Sequence, residues 1–118
     1  MKTLKTIETD HVREFLENDA CPIINVLDEE DFERAHIPGT RNIPLASGDL
    51  VERVDDLVDH RSDTVVVYCA GPECDASPKA AELLREAGFT DVFDYEGGMA
   101  EWISAGNPVE RAEPVSVH

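Results

Sequence analysis

Short runs of continuous apolar residues alternate along this chain with stretches in which apolar positions recur every three to four residues. The runs are Ile23–Leu27, Val65–Cys69 and Asp91–Tyr95, each rich in β-branched or aromatic residues and each predicted as a strand. Between them lie helix patterns. Val12, Phe15 and Leu16 form an i, i+3, i+4 stripe over Thr9–Asn18, with Thr9 as the expected cap. Asp28 caps a second helix, Glu29–Ala35, whose acidic first turn suits the helix dipole. His36-Ile37-Pro38-Gly39 breaks that helix, and Arg41–Pro44 runs extended. A third helix, Asp49–Val58, carries Leu50, Val51, Val54, Leu57 and Val58. A fourth spans Ser77–Ala87, with Ser77 as the expected N-cap, Pro78 in the first turn and Gly88 as the stop. Gly97-Gly98 turns the chain into a last helix, Met99–Ser104, ended by Gly106 and Pro108.

Because strands alternate with helices and the strand cores are continuously apolar, the expected fold is α/β. It is a mostly parallel sheet with helices on both faces. No repeat, linker or low-complexity segment interrupts the pattern. One domain is expected over residues 1–118, with its core at 5–110 and a flexible tail at 111–118.

In such sheets ligands bind beyond the carboxyl ends of the strands. Cys69 occupies one of those ends, followed by a Gly/Pro loop and the start of the fourth helix. A thiol there meets converging backbone N–H groups and a positive helix end, which predicts a lowered pKa and a nucleophilic sulfur. The N–H groups of Ala70, Gly71, Pro72, Glu73, Cys74 and Asp75 (Pro72 itself lacking one) form the expected anion-cradle loop, with Ser77 beside the sulfur.

Composition narrows the partners. Twenty-six acidic residues against ten basic ones give a net charge of −16, so nucleic acid and anionic membranes would be repelled. No stretch approaches the ~20 apolar residues of a membrane helix, and no secretion signal is seen, so a cytoplasmic protein is expected. In ~1 M salt the Debye length falls to ~3 Å and the self-repulsion is screened, which reads as adaptation to a salty cytoplasm such as that of halophilic archaea. An ordinary acidic protein is the alternative. Three cysteines, Cys21, Cys69 and Cys74, do not suit a disulfide-stapled domain. His11, His36, His60 and His118 are scattered without metal-ligand spacing, so neither a metal nor another cofactor is expected.

Three segments in order resemble the single-domain rhodaneses, a family of persulfide-handling sulfurtransferases. They are Asp31-Phe32-Glu33-Arg34-Ala35-His36-Ile37-Pro38-Gly39-Thr40-Arg41-Asn42-Ile43-Pro44-Leu45, Val67-Tyr68-Cys69 with its loop, and Tyr95-Glu96-Gly97-Gly98-Met99-Ala100-Glu101-Trp102. The resemblance implies a rhodanese-like fold of about five strands with Cys69 as sulfur carrier. A small sulfur donor, thiosulfate or a low-molecular-weight persulfide, would load Cys69, and a thiol, cyanide or sulfur-carrier protein would unload it.

The loop departs from the family pattern. No Arg or Lys occurs from Ala70 to Ser77, and Glu73 and Asp75 place acids where a cation would aid an anionic donor. Lys79 is the nearest cation in sequence. Asn25 and Leu27 stand where the family usually has Asp and Arg. The phosphatases of the same fold need Arg six residues after the cysteine, where this chain has Asp75. Cys74 is either a half-buried apolar filler or a resolving thiol for Cys69. Cys21 reads as structural, His36 as a structural hydrogen-bonding residue, and Trp102 with Met99 as packing for the last helix. Arg41 is a candidate neighbour of the loop. Two further functional readings stay open: a non-catalytic binding or redox-sensing module, and a Cys69/Cys74 thiol oxidoreductase.

Overall fold

A computed structural model describes residues 5–111. The tail expected at 111–118 therefore lies, beyond its first residue, outside the described residues. Ten elements follow in order: β1 (Lys5–Thr6), α1 (Thr9–Asn18), β2 (Ile23–Asn25), α2 (Glu29–Arg34), β3 (Arg41–Asn42), α3 (Leu50–Asp55), β4 (Val65–Tyr68), α4 (Ala76–Glu86), β5 (Val92–Tyr95) and α5 (Gly98–Ser104). A single turn of 3-10 helix at Leu45–Ser47 precedes α3. The strands form one five-stranded sheet in the order β1-β5-β4-β2-β3, and every pairing is parallel. The α/β fold with helices on both faces is as the sequence pattern predicts.

β4 lies at the centre, and its alternation sorts the two faces. Val65, Val67 and Cys69 pack with Ile24, Leu50, Val54, Ala80, Ala81, Leu84 and Val92 on the α3/α4 side. Val66 and Tyr68 pack with Val12, Ile37, Tyr95, Met99 and Trp102 on the α1/α5 side. This period of two, read through the register Val67↔Asp94, decides what surrounds the cysteine. In β5, Val92 belongs to the α4 side and Tyr95 to the other. Asp94 therefore shares the face of Val92, Val67 and Cys69.

Where the structure differs from the sequence reading, tertiary contacts are the reason. The third helix is shorter than Asp49–Val58 and ends at Asp55, with the chain turning at Leu57, whose N–H bonds the Val54 carbonyl (2.9 Å). Thr9 is not the cap of α1; Glu8 holds that place, and the Thr9 hydroxyl instead meets Tyr95 Oη (2.6 Å) and donates to Glu101 Oε2 (2.8 Å). The stop of α4 matches expectation. Gly88 sits at φ +105°, and the bonds Gly88 N–H to Arg85 O and Phe89 N–H to Leu84 O, both 3.0 Å, make a Schellman ending.

Candidate functional site

The chain from Tyr68 leaves the sheet at Cys69 and turns through Gly71-Pro72-Glu73-Cys74, closed by Cys74 N–H to Gly71 O (3.0 Å). Proline at the second position suits such a turn. The helix α4 then begins one residue earlier than predicted. Asp75, with backbone already near-helical (φ −97°, ψ 3°), occupies the cap position and Ala76 starts the helix. Ser77 is therefore not the N-cap. Its hydroxyl is directed at the cysteine instead of at the helix amides, because the buried sulfur lies under the first turn.

From the other side the loop is clamped by α5. Met99 N–H donates to Cys69 O (3.0 Å) and Ala100 N–H to Ala70 O (2.8 Å). This close approach requires Gly98, at φ +56°, since any side chain there would overlap the Cys69 carbonyl and the Gly71 amide. The sequence signal Gly97-Gly98 thus builds the floor of the cysteine loop.

Cys69 is 1% exposed and unpaired. Its thiol proton has two acceptors, Ser77 Oγ at 3.4 Å and the Cys74 carbonyl at 3.6 Å. Burial pushes the thiol pKa up, and a contact with the Cys74 thiol pushes it further, while the hydroxyl and the N–H of Ser77 pull it down. The net direction is upward. The lowered pKa expected at a helix start is therefore not what the site gives, because desolvation outweighs the helix end.

The loop residues are placed as follows. Ala70, Pro72, Glu73 and Asp75 are exposed, Gly71 is buried and Cys74 is half-buried against the core. Cys74 and Cys69 are thus brought together. Toward the sulfur the loop presents the Cys74 carbonyl, while the donors come from Ser77 rather than from the Ala70–Asp75 segment. Lys79 is tied to Asp75 Oδ2 (3.1 Å) across one helical turn. Ala70 lines a cavity of about 270 Å³ with Leu27, Asp31, Arg34, Ala35, Met99 and Ile103. Arg34, which the sequence reading did not single out, lines this cavity with its guanidinium paired to Asp31 Oδ1 (3.3 Å).

Arg41 is not among these neighbours. It lines a larger cavity, about 610 Å³, with Asp19, Cys21, Asp59 and Asp63 at the amino ends of the strands. Parallel sheets bind ligands at the opposite ends, so that cavity is not the site. Cys21 there is raised to about 11 by burial and by the charge of Asp91. His36 bonds Phe32 O through Nδ1 (2.8 Å) and Glu110 through Nε2 (3.1 Å), consistent with a structural role. The Asn25 side chain accepts from Leu27 N–H (2.9 Å) and so holds the end of β2. Trp102 and Met99 are buried against the α1/α5 side of the sheet.

Sequence reasoning also missed Asp94. It is 1% exposed, and neither carboxyl oxygen has a hydrogen-bond partner among the described residues. Burial raises its pKa, the Ser77 hydroxyl draws it down, and Glu96 pushes it up. An acid within an otherwise apolar strand was the available signal. Among the described residues no group of three or more His, Cys, Asp and Glu side chains is placed to hold a metal ion, and no helix is long and apolar enough to cross a membrane.

A parallel α/β sheet that carries a buried thiol at the head of its central strand, beneath a helix start, defines a cysteine-centred α/β domain. The chain belongs to the rhodanese-like domain family, whose model matches residues 8–105. It is 38% identical over 93 residues to the HTH-type transcriptional regulator Rv0324 of Mycobacterium tuberculosis, covering 79% of this chain but 39% of that protein. It is also 38% identical over 79 residues to the thiosulfate sulfurtransferase PspE of Escherichia coli, covering 66% of this chain and 70% of PspE. A solved thiosulfate sulfurtransferase from Pseudomonas aeruginosa superposes with a TM-score of 0.80 at 28% identity, over 92% of this chain and 20% of that one.

Proposed function

We propose that this domain is a sulfurtransferase in which Cys69 carries sulfane sulfur from thiosulfate or a low-molecular-weight persulfide to a thiophilic acceptor. The observation that carries the reading is the setting of Cys69: a buried thiol at the carboxyl end of β4, beneath the first turn of α4, contacted by the Ser77 hydroxyl. The Cys69 thiolate attacks the outer sulfur of thiosulfate, the S–S bond of the donor breaks and sulfite leaves with the electron pair. An acceptor thiolate (or cyanide, or a sulfur-carrier protein) then attacks the outer sulfur of the Cys69 persulfide, and Cys69 leaves as thiolate. The persulfide anion needs donors near it, and the N–H and hydroxyl of Ser77 fit that need. Arg34 lines the cavity that Ala70 lines but is ion-paired there with Asp31 (3.3 Å), so an anionic donor would share it with that carboxylate. The acid-rich surface supports work in a high-salt cytoplasm.

The test is turnover with thiosulfate and with glutathione persulfide in concentrated KCl, for the parent, Cys69→Ser and Cys74→Ser. Turnover lost in Cys69→Ser and kept in Cys74→Ser supports the proposal. Absence of turnover and of sulfur loading with both donors overturns it in favour of a binding or sensing module, a reading that the cation-free loop supports.

A second reading rests on the proximity of the two cysteines: Cys74 packs against the core cluster that holds Cys69, and its carbonyl lies 3.6 Å from Cys69 Sγ. There Cys74 acts as a resolving thiol: its thiolate attacks the inner sulfur of the persulfide, hydrosulfide leaves and a Cys69–Cys74 disulfide forms, to be reduced by an external dithiol. Mass spectrometry after sulfur loading decides. A stable persulfide in both parent and Cys74→Ser, without sulfide release, excludes it.

A further inference from the structure

The proposed sulfur transfer leaves one step without an agent: a buried thiol must lose its proton before it attacks. Three facts of geometry converge there. Asp94 lies on the same face of the sheet as Cys69, one strand away, level with Val67 in β4 and Thr6 in β1. Its carboxyl oxygens are buried and make no hydrogen bond among the described residues. Ser77, 2% exposed, lies on α4, which packs over both β4 and β5 on this face; its Oγ is 3.4 Å from Cys69 Sγ, and its hydroxyl draws the Asp94 pKa down. A buried, unpartnered carboxyl is costly unless something else stabilises it or uses it.

We propose that Asp94 receives the Cys69 proton through the Ser77 hydroxyl and stores it while Cys69 carries sulfur. The inference rests on the sulfur-transfer reading for its role, although the proton step can be measured without any sulfur donor. In the resting site Asp94 is ionised and the Cys69 thiol donates to Ser77 Oγ. On activation the S–H bond breaks as Ser77 Oγ takes that proton, and the Ser77 O–H bond breaks as its own proton passes to Asp94. Cys69 is then a thiolate that accepts from the renewed Ser77 hydroxyl, and Asp94 is a neutral acid. No net charge is created in the buried site. The later persulfide anion keeps Asp94 protonated, since two anions this close disfavour each other. When the acceptor removes the sulfur, the proton returns to Cys69 by the same route. Asp94 is thus a positioning residue that acts through Ser77.

The charges around Asp94 leave this path open. Glu96, at the end of its own strand, pushes the carboxyl toward protonation. Ser77 faces it from α4, and the strand neighbours Val67 and Thr6 carry no charge. Lys5 is held by Asp91 and Lys79 by Asp75, and Cys74 acts on Cys69.

The test is the pH profile of alkylation of Cys69 by iodoacetamide, resolved from Cys21 and Cys74 by peptide mass spectrometry. The parent is expected to show two inflections: a lower one as Asp94 ionises and becomes a proton acceptor, and a higher one as the thiol ionises directly. In Asp94→Asn and Ser77→Ala the lower inflection should vanish, with the rate at pH 7 falling roughly 100-fold, while a merely structural role would leave the profile's shape intact. A parental two-inflection profile in either variant, or a single inflection in the parent, overturns the proposal. If Asp94→Asn does not fold, infrared spectra of the parent and Ser77→Ala decide. A carboxyl C=O band that titrates with the lower inflection in the parent and shifts in Ser77→Ala supports the relay, and its absence overturns it. Because no sulfur donor is present, failure here is distinct from failure of the sulfurtransferase reading, which the Cys69→Ser turnover assay reports.

Discussion

Substituting Ala for Gly98 measures how firmly α5 fixes the cysteine loop. The added Cβ would overlap the Cys69 carbonyl and stand 2.9 Å from the Gly71 nitrogen. Both are backbone atoms, and the carbonyl is held by Met99 N–H (3.0 Å) beside the bond from Ala100 N–H to Ala70 O (2.8 Å). Relief therefore means moving α5 off the loop and losing those two bonds. Left-handed backbone at a non-glycine residue costs about 1–2 kcal/mol, and each hydrogen bond contributes about 1 kcal/mol net. The sum is about 3–4 kcal/mol from these sources. Gly106 supplies the reference: it sits at φ +83° with nothing within reach of an added Cβ. Gly106→Ala should thus carry only the conformational part, about 1–2 kcal/mol. Urea unfolding of the two variants in concentrated KCl should separate them by about 2 kcal/mol, with Cys69 alkylation altered in Gly98→Ala alone. Equal destabilisation of the two would refute the reasoning, since the difference isolates the backbone contact from the strain.

Tyr68→Phe removes the buried acceptor of Ile37 N–H (3.1 Å) and the partner of Thr40 Oγ1 (2.9 Å); thermal or urea unfolding should show a loss of about 1–3 kcal/mol. Cys21, raised from 9.0 to about 11 by burial and Asp91, should resist iodoacetamide at neutral pH. Its contribution to stability, complete below pH 9.0, should be lost as pH rises through about 11, so Cys21→Ser should flatten the alkaline limb of a stability profile. Burial raises the Asp94 pKa, so the folded state disfavours its charge at neutral pH. Asp94→Asn should therefore melt above the parent at pH 7, and the gain should close as pH falls toward 4.

The strand–cysteine–loop–helix unit was legible because it is local: the β-branched run, the Gly/Pro turn and the glycine stop each act within a few residues. The site's electrostatics were not. A helix start argues for a lowered thiol pKa, but the opposing desolvation comes from α3 and α4 closing over one face of the sheet. Asp94 illustrates the same limit. Its identity was visible in β5, yet its facing follows from the register Val67↔Asp94, which periodicity within a strand buried on both sides does not reveal. The Ser77 hydroxyl lies 3.4 Å from the Cys69 sulfur, and its expected capping role yields to that buried contact. Arg34 escaped notice because only the tertiary fold sets it on the same cavity as Ala70.

The arrangement separates two electrostatic problems by range. An anionic donor approaching a chain of net charge −16 meets a long-range field, and the loop offers it no cation, with Lys79 occupied by Asp75. Salt removes such a field, the Debye length falling from ~10 Å at 0.1 M to ~3 Å at 1 M. The contact of Ser77 with Cys69 (3.4 Å) and the Asp94 carboxyl on the same face of the sheet are buried, so salt barely screens them. Raising KCl should therefore lower the KM for thiosulfate severalfold, while alkylation of Cys69 by uncharged iodoacetamide changes little. Parallel changes in both would mean that salt acts by ordering the whole fold rather than by admitting the anion, and the separation of ranges would fail.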